Sequence, residues 1–354
     1  MRKNYSQLTK NIMSRLNPEG LILEKAFREE IGSISYSNVL MFVRSAMKGV
    51  EPEYTKRSRE AGDRVKEHLK TVLTDVIYKY QGSVMTDTHI RGYSDIDLLT
   101  ISDRFYSWDS SRVKQILENY DQRQRYREAL IRKLEYENDT SPYEGDSLED
   151  LHWIRLTSER KMQEVYIDHN ISRPKAIKIT NRNLKRDVDI VTANWYDDVM
   201  SIINDKGEYR GIQVYNKHEH KKGTANFPFL SIARINNRSS ETNGRLKKMI
   251  RFLKHCKAES IYQIGLNSFD INAICYNIEP RIYKYLPFYG LVPVLYEQLK
   301  RICEDRSYAD NILSVDGREY IFRYNLDKKA NLKQLLTEVE GVYLDLVENG
   351  LLVL

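Results

Sequence analysis

Hydrophobic residues recur at helical spacing through the first 77 residues of the chain. Val39, Met41, Phe42, Val43 and Ala46 indicate one buried helix. From EPEY (51–54) onward, apolar residues return every three or four positions in a highly charged background. The pattern therefore predicts helices in this part of the chain, the second of them long and amphipathic.

The period then shortens to that of a β-strand. In VIYKYQGSV, Val76, Tyr78 and Tyr80 alternate with other residues, and Gly82-Ser83 follows directly. DIDLLTI (95–101) comes next and is rich in branched apolar residues. The predicted order is a long helix, a strand, a Gly-Ser turn, a loop and a second strand.

Further strands and helices follow from the same criteria. Residues 111–137 are helical and charged, and 138–150 hold the turn formers of a loop. KAIKIT (175–180) and DVDIVTA (187–193) predict two more strands. Residues 203–224 contain three glycines and the polar string KHEHKK, which favours a boundary between two lobes.

From about Asn243 to the end, the pattern is almost entirely helical. The predicted fold class is therefore α+β: a small mixed sheet with helices, followed by a C-terminal helical lobe, with a long N-terminal helix joining the lobes. The predicted domains are an N-terminal helical segment (1–60), a core (61–225) and the helical lobe (226–354). The apolar C-terminal ENGLLVL is expected to pack on that lobe.

Composition places the chain among soluble globular proteins. Of its 354 residues, 41% are hydrophobic and 30% charged, with no apolar run near the roughly 20 residues that span a bilayer. The N-terminus lacks the apolar core of a secretory signal. Cys256, Cys275 and Cys303 form no CxxC pair, which favours a reducing, cytoplasmic location. The net charge of +6 suits either a binder of polyanions or simple solubility.

Two aspartates on one predicted strand carry the first chemical signal. Alternate side chains share a face of a strand, so Asp95 and Asp97 project together and repel each other unless a cation lies between them. Carboxylate oxygens suit Mg²⁺. Gly82 allows a ligand close to the main chain, and the Ser83 hydroxyl with nearby N–H groups can bind a phosphate.

A third carboxylate usually completes a two-metal site. KRDVDIVTANW supplies Asp187 and Asp189 on another predicted strand, and spacing alone does not distinguish them. The Walker A and GxGxxG patterns are both absent, which argues against a P-loop ATPase or a dinucleotide oxidoreductase. His218 and His220 lie among lysines that repel a cation, so we expect a solvated loop there.

These features together resemble a known family. Gly-Ser, eleven residues and Asp-Ile-Asp resemble the core of the polymerase β-type nucleotidyltransferases. QGS after a long helix, a later VDIV strand and a helical C-terminal half resemble, more narrowly, the CD-NTases. These are bacterial relatives of cyclic GMP-AMP synthase and oligoadenylate synthase, and the resemblance covers roughly residues 35–290. It implies an enzyme that joins NTPs into a cyclic or short linear oligonucleotide second messenger in anti-phage signalling.

The resemblance also implies a role for individual residues. Asp95 and Asp97 match the two metal-binding acids, and Asp189 matches the third because VDIV fits the family's hDhh strand better than RDVD. The positions that match nucleotide-binding residues of the family are Gln81, Gly82, Ser83, Lys254 and Ser268. Ser268 could equally be a helix N-cap. Arg91 and Tyr93 either touch the nucleotide or shape the turn.

The chain departs from the family pattern in two places. DIVTAN lacks the proline that often follows the hDhh run, and residues 108–160 look like an insertion of charged helix. Both departures bear on the acceptor pocket and on the choice of base.

The implied cofactor is Mg²⁺, two ions, with Mn²⁺ as a substitute. The implied substrates are ATP and, depending on base choice, GTP, UTP or CTP. A downstream effector would recognise the product, and the pattern leaves room for regulation by an accessory protein. Neither a membrane nor DNA or RNA is required. The alternatives are an enzyme of this fold that modifies tRNA or protein, and a non-catalytic nucleotide sensor.

Overall fold

A computed structural model describes residues 3–16, 37–90 and 95–352. In this part of the chain, contacts divide the protein into two units, each discontinuous in sequence. One contains residues 53–85 and 95–233 and holds the sheet. The other contains the described parts of 1–52 and 86–94, together with 234–354, and is built from helices. The domains predicted from the sequence, with boundaries after residues 60 and 225, were instead each a continuous segment of the chain.

The strands of the described sheet form a mixed arrangement in the order β1-β2-β5-β4-β3, and β6 and β7 extend it from β5. β2 and β5 run parallel, whereas β1 is antiparallel to β2 and β4 to β5. The strands are β1 Val76–Gln81, β2 Ile96–Trp108, β3 His169–Asn170, β4 Ile177–Asn181, β5 Arg186–Asp197, β6 Gly211–Asn216 and β7 Lys221–Asn226. The predicted strands at 76–80, 95–101, 175–180 and 187–193 are thereby confirmed, although β2 and β5 extend seven and four residues beyond their predicted ends.

Helices flank the sheet and make up the second unit. In chain order they are α1 Tyr5–Leu16, α2 Asn38–Met47, α3 Pro52–Lys70, α4 Ser110–Glu118, α5 Tyr120–Arg123, α6 Glu128–Asn138, α7 Ser147–Val165, α8 Val199–Ile203, α9 Pro228–Glu241, α10 Arg245–Ala258, α11 Ser268–Tyr276, α12 Pro280–Tyr283, α13 Leu291–Glu304, α14 Arg306–Asp310 and α15 Leu326–Glu348. The predicted α+β class is confirmed. No helix in the described residues is both long and apolar enough to cross a bilayer.

Residues 203–224 are not the lobe boundary that their glycines suggested. β6 and β7 form a hairpin in this segment, and β6 pairs with the second half of β5. Gly211 begins β6, and the polar string is the turn and the start of β7. Short polar turns between strands have the same composition as linkers, which explains the error. The contact boundary falls later, between 233 and 234.

Side chains of the central strands alternate between the two faces of the sheet, and each face carries an apolar cluster. Leu98 and Ile190 pack into a core with Val65 and Leu69 of α3 and Ile154 of α7. On the opposite face, Leu99, Ile101, Val191 and Trp195 form a second cluster. Because successive strand residues point to opposite faces, this pattern assigns Asp95 and Asp97 to the side away from α3.

Buried Arg155 of α7 supports the segment that leads into β4. Its Nη2 donates to the carbonyls of Arg173 at 2.8 Å and Ala176 at 3.0 Å, and its Nε donates to Glu159 at 2.7 Å. Lys217 also contacts Glu159, at 2.8 Å. A buried arginine is tolerated only when paired and hydrogen-bonded in this way. The network therefore fixes the backbone that carries Arg173 beside the sheet.

The helical unit has its own core. Apolar residues of α2, α10, α11, α13 and α15 are buried together in it, among them Phe42, Phe252, Leu295 and Val342. Leu351 and Leu352 pack against this core. The expected packing of the C-terminal segment on the helical lobe is thus confirmed for its described residues.

Candidate active site

Three of the predicted site residues in the sheet unit lie in one line across three strands. Gln81 at the end of β1 is opposite Asp97 of β2, and Asp97 is opposite Asp189 of β5. Lys178 of β4 continues this line opposite Asp189. Neighbouring side chains in such a register have Cβ atoms about 5 Å apart. The sheet therefore brings Gln81, Asp97 and Asp189 together, as the family resemblance implies.

A second pair of acids lies one step along the same strands. Asp95 and Asp187 are each two residues before Asp97 and Asp189, so they share the same face of the sheet. The pairing of Ile96 with Val188 places them side by side. We call the four carboxylates Asp95, Asp97, Asp187 and Asp189 the acidic face.

Two positively charged side chains contact carboxylates of the acidic face. The Lys178 ammonium lies 2.7 Å from Asp95 and 2.7 Å from Asp187. Arg173 lies 3.4 Å from Asp189. Sequence reasoning missed both residues. The alternation of KAIKIT gave a signal for Lys178, since it is the polar position between two buried isoleucines. Nothing in the sequence indicated Arg173, which lies in a connection.

Gly82 is required by its contact with Asp97. Its φ is +87°, a conformation that side-chain-bearing residues rarely adopt. A Cβ placed on Gly82 would lie 2.5 Å from Asp97 Oδ2. The chain then turns directly into a short 3₁₀ helix, Ser83–Thr86. The Gly-Ser pair therefore packs its backbone against one acid of the site.

The charges of the acidic face shift the pKa values of its members. Burial raises the pKa of Asp97 to about 7, and the carboxylates of Asp189 and Asp95 contribute to the same rise. Burial and the carboxylate of Asp95 also raise the pKa of Asp189, although Arg173 opposes the shift. For Asp187, burial is outweighed by Lys178 and Thr180, so its pKa is lowered. Asp97 is thus the acid whose charge is least compensated.

This donor set fits a hard divalent cation. The carboxylates of Asp95, Asp97 and Asp189 supply oxygen ligands, and their mutual repulsion would be relieved by a cation bound among them. In the described part of the chain, no three acidic, histidine or cysteine side chains already surround a single point. Lys178 already contacts Oδ2 of Asp95, one of the two oxygens that this carboxylate could offer to a metal ion.

The remaining predicted residues lie in the helical unit. Lys254 of α10 is buried, and its ammonium donates to the carbonyl of Thr88 at 2.9 Å. Arg251, one turn earlier, donates to the carbonyls of Met47 at 2.9 Å and Asp87 at 2.6 Å. Burial lowers the pKa of Lys254 to about 8 and that of Arg251 to about 10. Among the described residues, no carboxylate contacts Lys254.

Ser268 is not the N-cap of its helix. Asn267 occupies the cap, and its side chain and that of Asp270 form a capping box. Ser268 is the first residue of α11 and is exposed. Serine and asparagine are similarly good caps, so the sequence left this boundary open by one residue. Arg91 and Tyr93 lie outside the described residues.

The histidines of the β6–β7 turn are not part of a metal cluster in the described residues. His220 is nevertheless not fully solvated, as its Nδ1 lies 2.8 Å from the hydroxyl of buried Tyr215. His152 contacts the same hydroxyl at 2.9 Å. The turn is thus anchored to α7 by a hydrogen-bonded tyrosine.

The chain is similar to known proteins over nearly its whole length. Residues 233–344 match the model of the cGAS/DncV-like nucleotidyltransferase C-terminal helical domain. A c-di-GMP synthase of Capnocytophaga granulosa is 53% identical over 98% of both chains. A c-di-GMP synthase of a Lachnospiraceae bacterium is 41% identical over 97% of this chain and 99% of its own. The solved structure of a STING-associated CdnE c-di-GMP synthase from Flavobacteriaceae sp. has 36% identity and a TM-score of 0.88, covering 99% of this chain and 100% of that one.

Proposed function

Because the chain belongs to the CD-NTases, the cGAS/DncV-like nucleotidyltransferases, we propose that it converts two molecules of GTP into cyclic di-GMP. The enzyme is a nucleotidyltransferase that makes a cyclic dinucleotide as a second messenger. The STING association of its solved relative fits a role in antiviral defence. The proposal adds the identity of the base: both substrate nucleotides are GTP, so both bases of the product are guanine. Its main support is that relatives similar over nearly the whole chain share one product.

The chemistry consists of two nucleotidyl transfers. In each, a ribose hydroxyl attacks an α-phosphorus, a new P–O bond forms, the bond to the β-phosphate breaks and pyrophosphate leaves. The first transfer joins two GTP molecules and the second closes the ring. Two GTP therefore give one cyclic dinucleotide and two pyrophosphates.

We propose that Asp95, Asp97 and Asp189 hold two Mg²⁺ ions. When bound, Mg²⁺ would neutralise phosphate charge and lower the pKa of the attacking hydroxyl. Asp189 would also help to deprotonate the attacking hydroxyl, because it lies beside Asp97 in the register of β2 with β5. Gln81, Gly82 and Ser83 adjoin Asp97 at the end of β1 and would bind the donor phosphates.

Lys254 and Ser268 are proposed to bind the donor triphosphate, on the family resemblance. Support for Lys254 comes from its charge, which burial destabilises and no described carboxylate compensates. A nearby phosphate would stabilise the charged form and raise the pKa again. Ser268 is supported by its exposed position at the start of α11.

Lys254→Met is expected to raise the KM for GTP about tenfold or more, with a smaller change in kcat, because a charged contact to phosphate is removed. Steady-state pyrophosphate release measures both constants. The matched control is Lys248→Met on the same helix, which should leave KM within about twofold. Equal KM values for the wild type and Lys254→Met would contradict the role of Lys254.

Product analysis tests the proposed function. The purified protein is incubated with Mg²⁺ and each radiolabelled NTP alone, then with all four, and treated with phosphatase. We expect a phosphatase-resistant product from GTP alone, with the mass of cyclic di-GMP and no other base when all four NTPs are present. A resistant product that contains another base would refute the guanine assignment. Label found only on RNA or protein would refute messenger synthesis altogether.

The partner that this product implies is an effector that binds cyclic di-GMP. The solved relative is described as STING-associated. We propose a STING-type effector for this chain as well. It would recognise the cyclic dinucleotide after release, so the synthase itself needs no stable complex with it.

A further inference from the structure

Lys178 contacts a carboxylate that the proposed metal site needs. Its ammonium is 2.7 Å from Asp95, one of the two acids of the DxD strand. It is also 2.7 Å from Asp187, which is not among the proposed ligands. A single ammonium therefore joins a proposed metal ligand to an acid outside the ligand set.

The two carboxylates that Lys178 contacts, Asp95 and Asp187, differ in their other hydrogen bonds. Asp187 also accepts a hydrogen bond from the Thr180 hydroxyl at 2.6 Å, and the pairing of Thr180 with Asp187 across β4 and β5 fixes both strands. Among the described contacts, Asp95 has Lys178 as its hydrogen-bond partner. Lys178 can therefore lose its contact with Asp95 and still keep its contact with Asp187.

The bridge is accessible enough for this exchange. The side chains of Lys178 and Asp95 are 24% and 36% exposed. Asp187 is 30% exposed. Water and ions can therefore reach the bridge without unfolding of the sheet. An ion pair this exposed is worth little in stability, so its energetic cost to a competing cation is modest.

We propose that Lys178 is an internal cation that occupies Asp95 in the metal-free enzyme, competes with the divalent ion for it, and thereby sets the Mg²⁺ concentration needed for activity. The inference rests on the proposed metal site. On metal binding, Lys178 releases Asp95 and keeps Asp187. It then stays beside the site as a positive charge that further weakens metal affinity.

Both effects of Lys178 act in the same direction. Removing the lysine ends the competition for Asp95 and leaves one more uncompensated negative charge on the acidic face. For charges about 5 Å apart in a partly hydrated site, this corresponds to roughly five- to thirtyfold tighter binding of a divalent ion. A purely structural role would give the opposite result, since loss of the bridge would then weaken the metal site.

The test measures Mn²⁺ binding to the nucleotide-free protein from the EPR signal of the free ion. Lys178→Met should bind Mn²⁺ about five- to thirtyfold more tightly than the wild type, and its half-activating Mg²⁺ concentration should fall by a similar factor. Lys178→Arg should stay within about twofold because it keeps the charge. Lys175→Met, which removes an exposed lysine of the same segment, is the matched control.

Wild-type or weaker Mn²⁺ affinity in folded Lys178→Met, checked by circular dichroism, overturns the inference. If Lys178→Met does not fold, the Mn²⁺ affinity of Lys178→Gln, which also lacks the charge, is measured instead. Asp95→Asn separates the inference from the proposed site. If Asp95→Asn loses Mn²⁺ and Lys178→Met is unchanged, the inference alone fails. If Asp95→Asn binds Mn²⁺ like the wild type, the proposed metal site fails with it, whatever product the enzyme makes.

Discussion

Asp97→Asn is expected to reduce cyclic dinucleotide synthesis at least about a thousandfold while making the metal-free protein more stable at pH 8. Activity falls because an amide is a poor ligand for Mg²⁺ and cannot balance its charge. Stability rises because the substitution removes a carboxylate that burial, Asp189 and Asp95 all disfavour in its charged form. Loss of function combined with gain of stability is the pattern expected for a residue kept for its chemistry.

The effect on stability has a defined pH dependence. The pKa of Asp97 is raised from 3.8 to about 7 in the folded protein. The folded state therefore binds more protons than the unfolded state between those values, and its stability falls as pH rises from about 4 to 7. The cost of the charge at pH 8 is on the order of 2 to 4 kcal/mol. The Asp97→Asn variant should not lose this stability as the pH rises, because its amide does not become charged.

Urea unfolding in EDTA at pH 5 and pH 8 measures this pH dependence of stability. The free energy of unfolding of the wild type should drop between these pH values by more than that of Asp97→Asn. Addition of Mg²⁺ should restore the wild type at pH 8 and leave the variant unchanged. Asp103→Asn, an exposed position on the same strand, serves as the control and should follow the wild type. Parallel pH profiles for wild type and Asp97→Asn would contradict the assigned electrostatics.

Gly82→Ala is expected to lower kcat/KM for GTP about a hundredfold. The new Cβ would lie 2.5 Å from Asp97 Oδ2, closer than non-bonded atoms approach, so the carboxylate must move. A displacement of about 1 Å in a catalytic group costs roughly this much. The positive φ of +87° adds backbone strain of about 1 kcal/mol or more.

Gly207→Ala separates the two causes. Gly207 also has a positive φ, +50°, yet nothing lies within 4 Å of the position that a Cβ would take there. Both alanine variants should lose stability in thermal unfolding, whereas only Gly82→Ala should lose activity and Mg²⁺ affinity. Activity of Gly82→Ala equal to that of Gly207→Ala would show that the contact with Asp97 does not matter.

The local pattern of the sequence was sufficient to predict the strands that carry the acids. Alternation in VIYKYQ, DIDLLTI and DVDIVTA is a local pattern, and it shows which residues share a face of a strand. It placed Asp95 and Asp97 on a shared face. The choice of Asp189 over Asp187 required the family resemblance, and the register of β2 with β5 agrees with it, since Asp189 is the residue opposite Asp97.

The cations of the site depended on long-range structure. Lys178 meets Asp95 only because β4 pairs with β5 and β5 with β2, a relation between residues 83 positions apart in sequence. Arg173 depends on a connection whose backbone is held by buried Arg155. The β6–β7 hairpin was mistaken for a boundary because the glycines and lysines of a turn do not reveal which strand pairs with it. Register and pairing, not composition, decide these features.

Anomalous diffraction from Mn²⁺ tests the proposed metal site most directly. Crystals of the wild-type protein grown with Mn²⁺ and a non-hydrolysable GTP analogue would locate the ions without reference to activity. We expect anomalous peaks about 2.0 to 2.3 Å from carboxylate oxygens of Asp95 and Asp97, with Asp189 beside them and Lys178 released from Asp95. Bound nucleotide with its Mn²⁺ peaks away from these three aspartates would contradict the assignment.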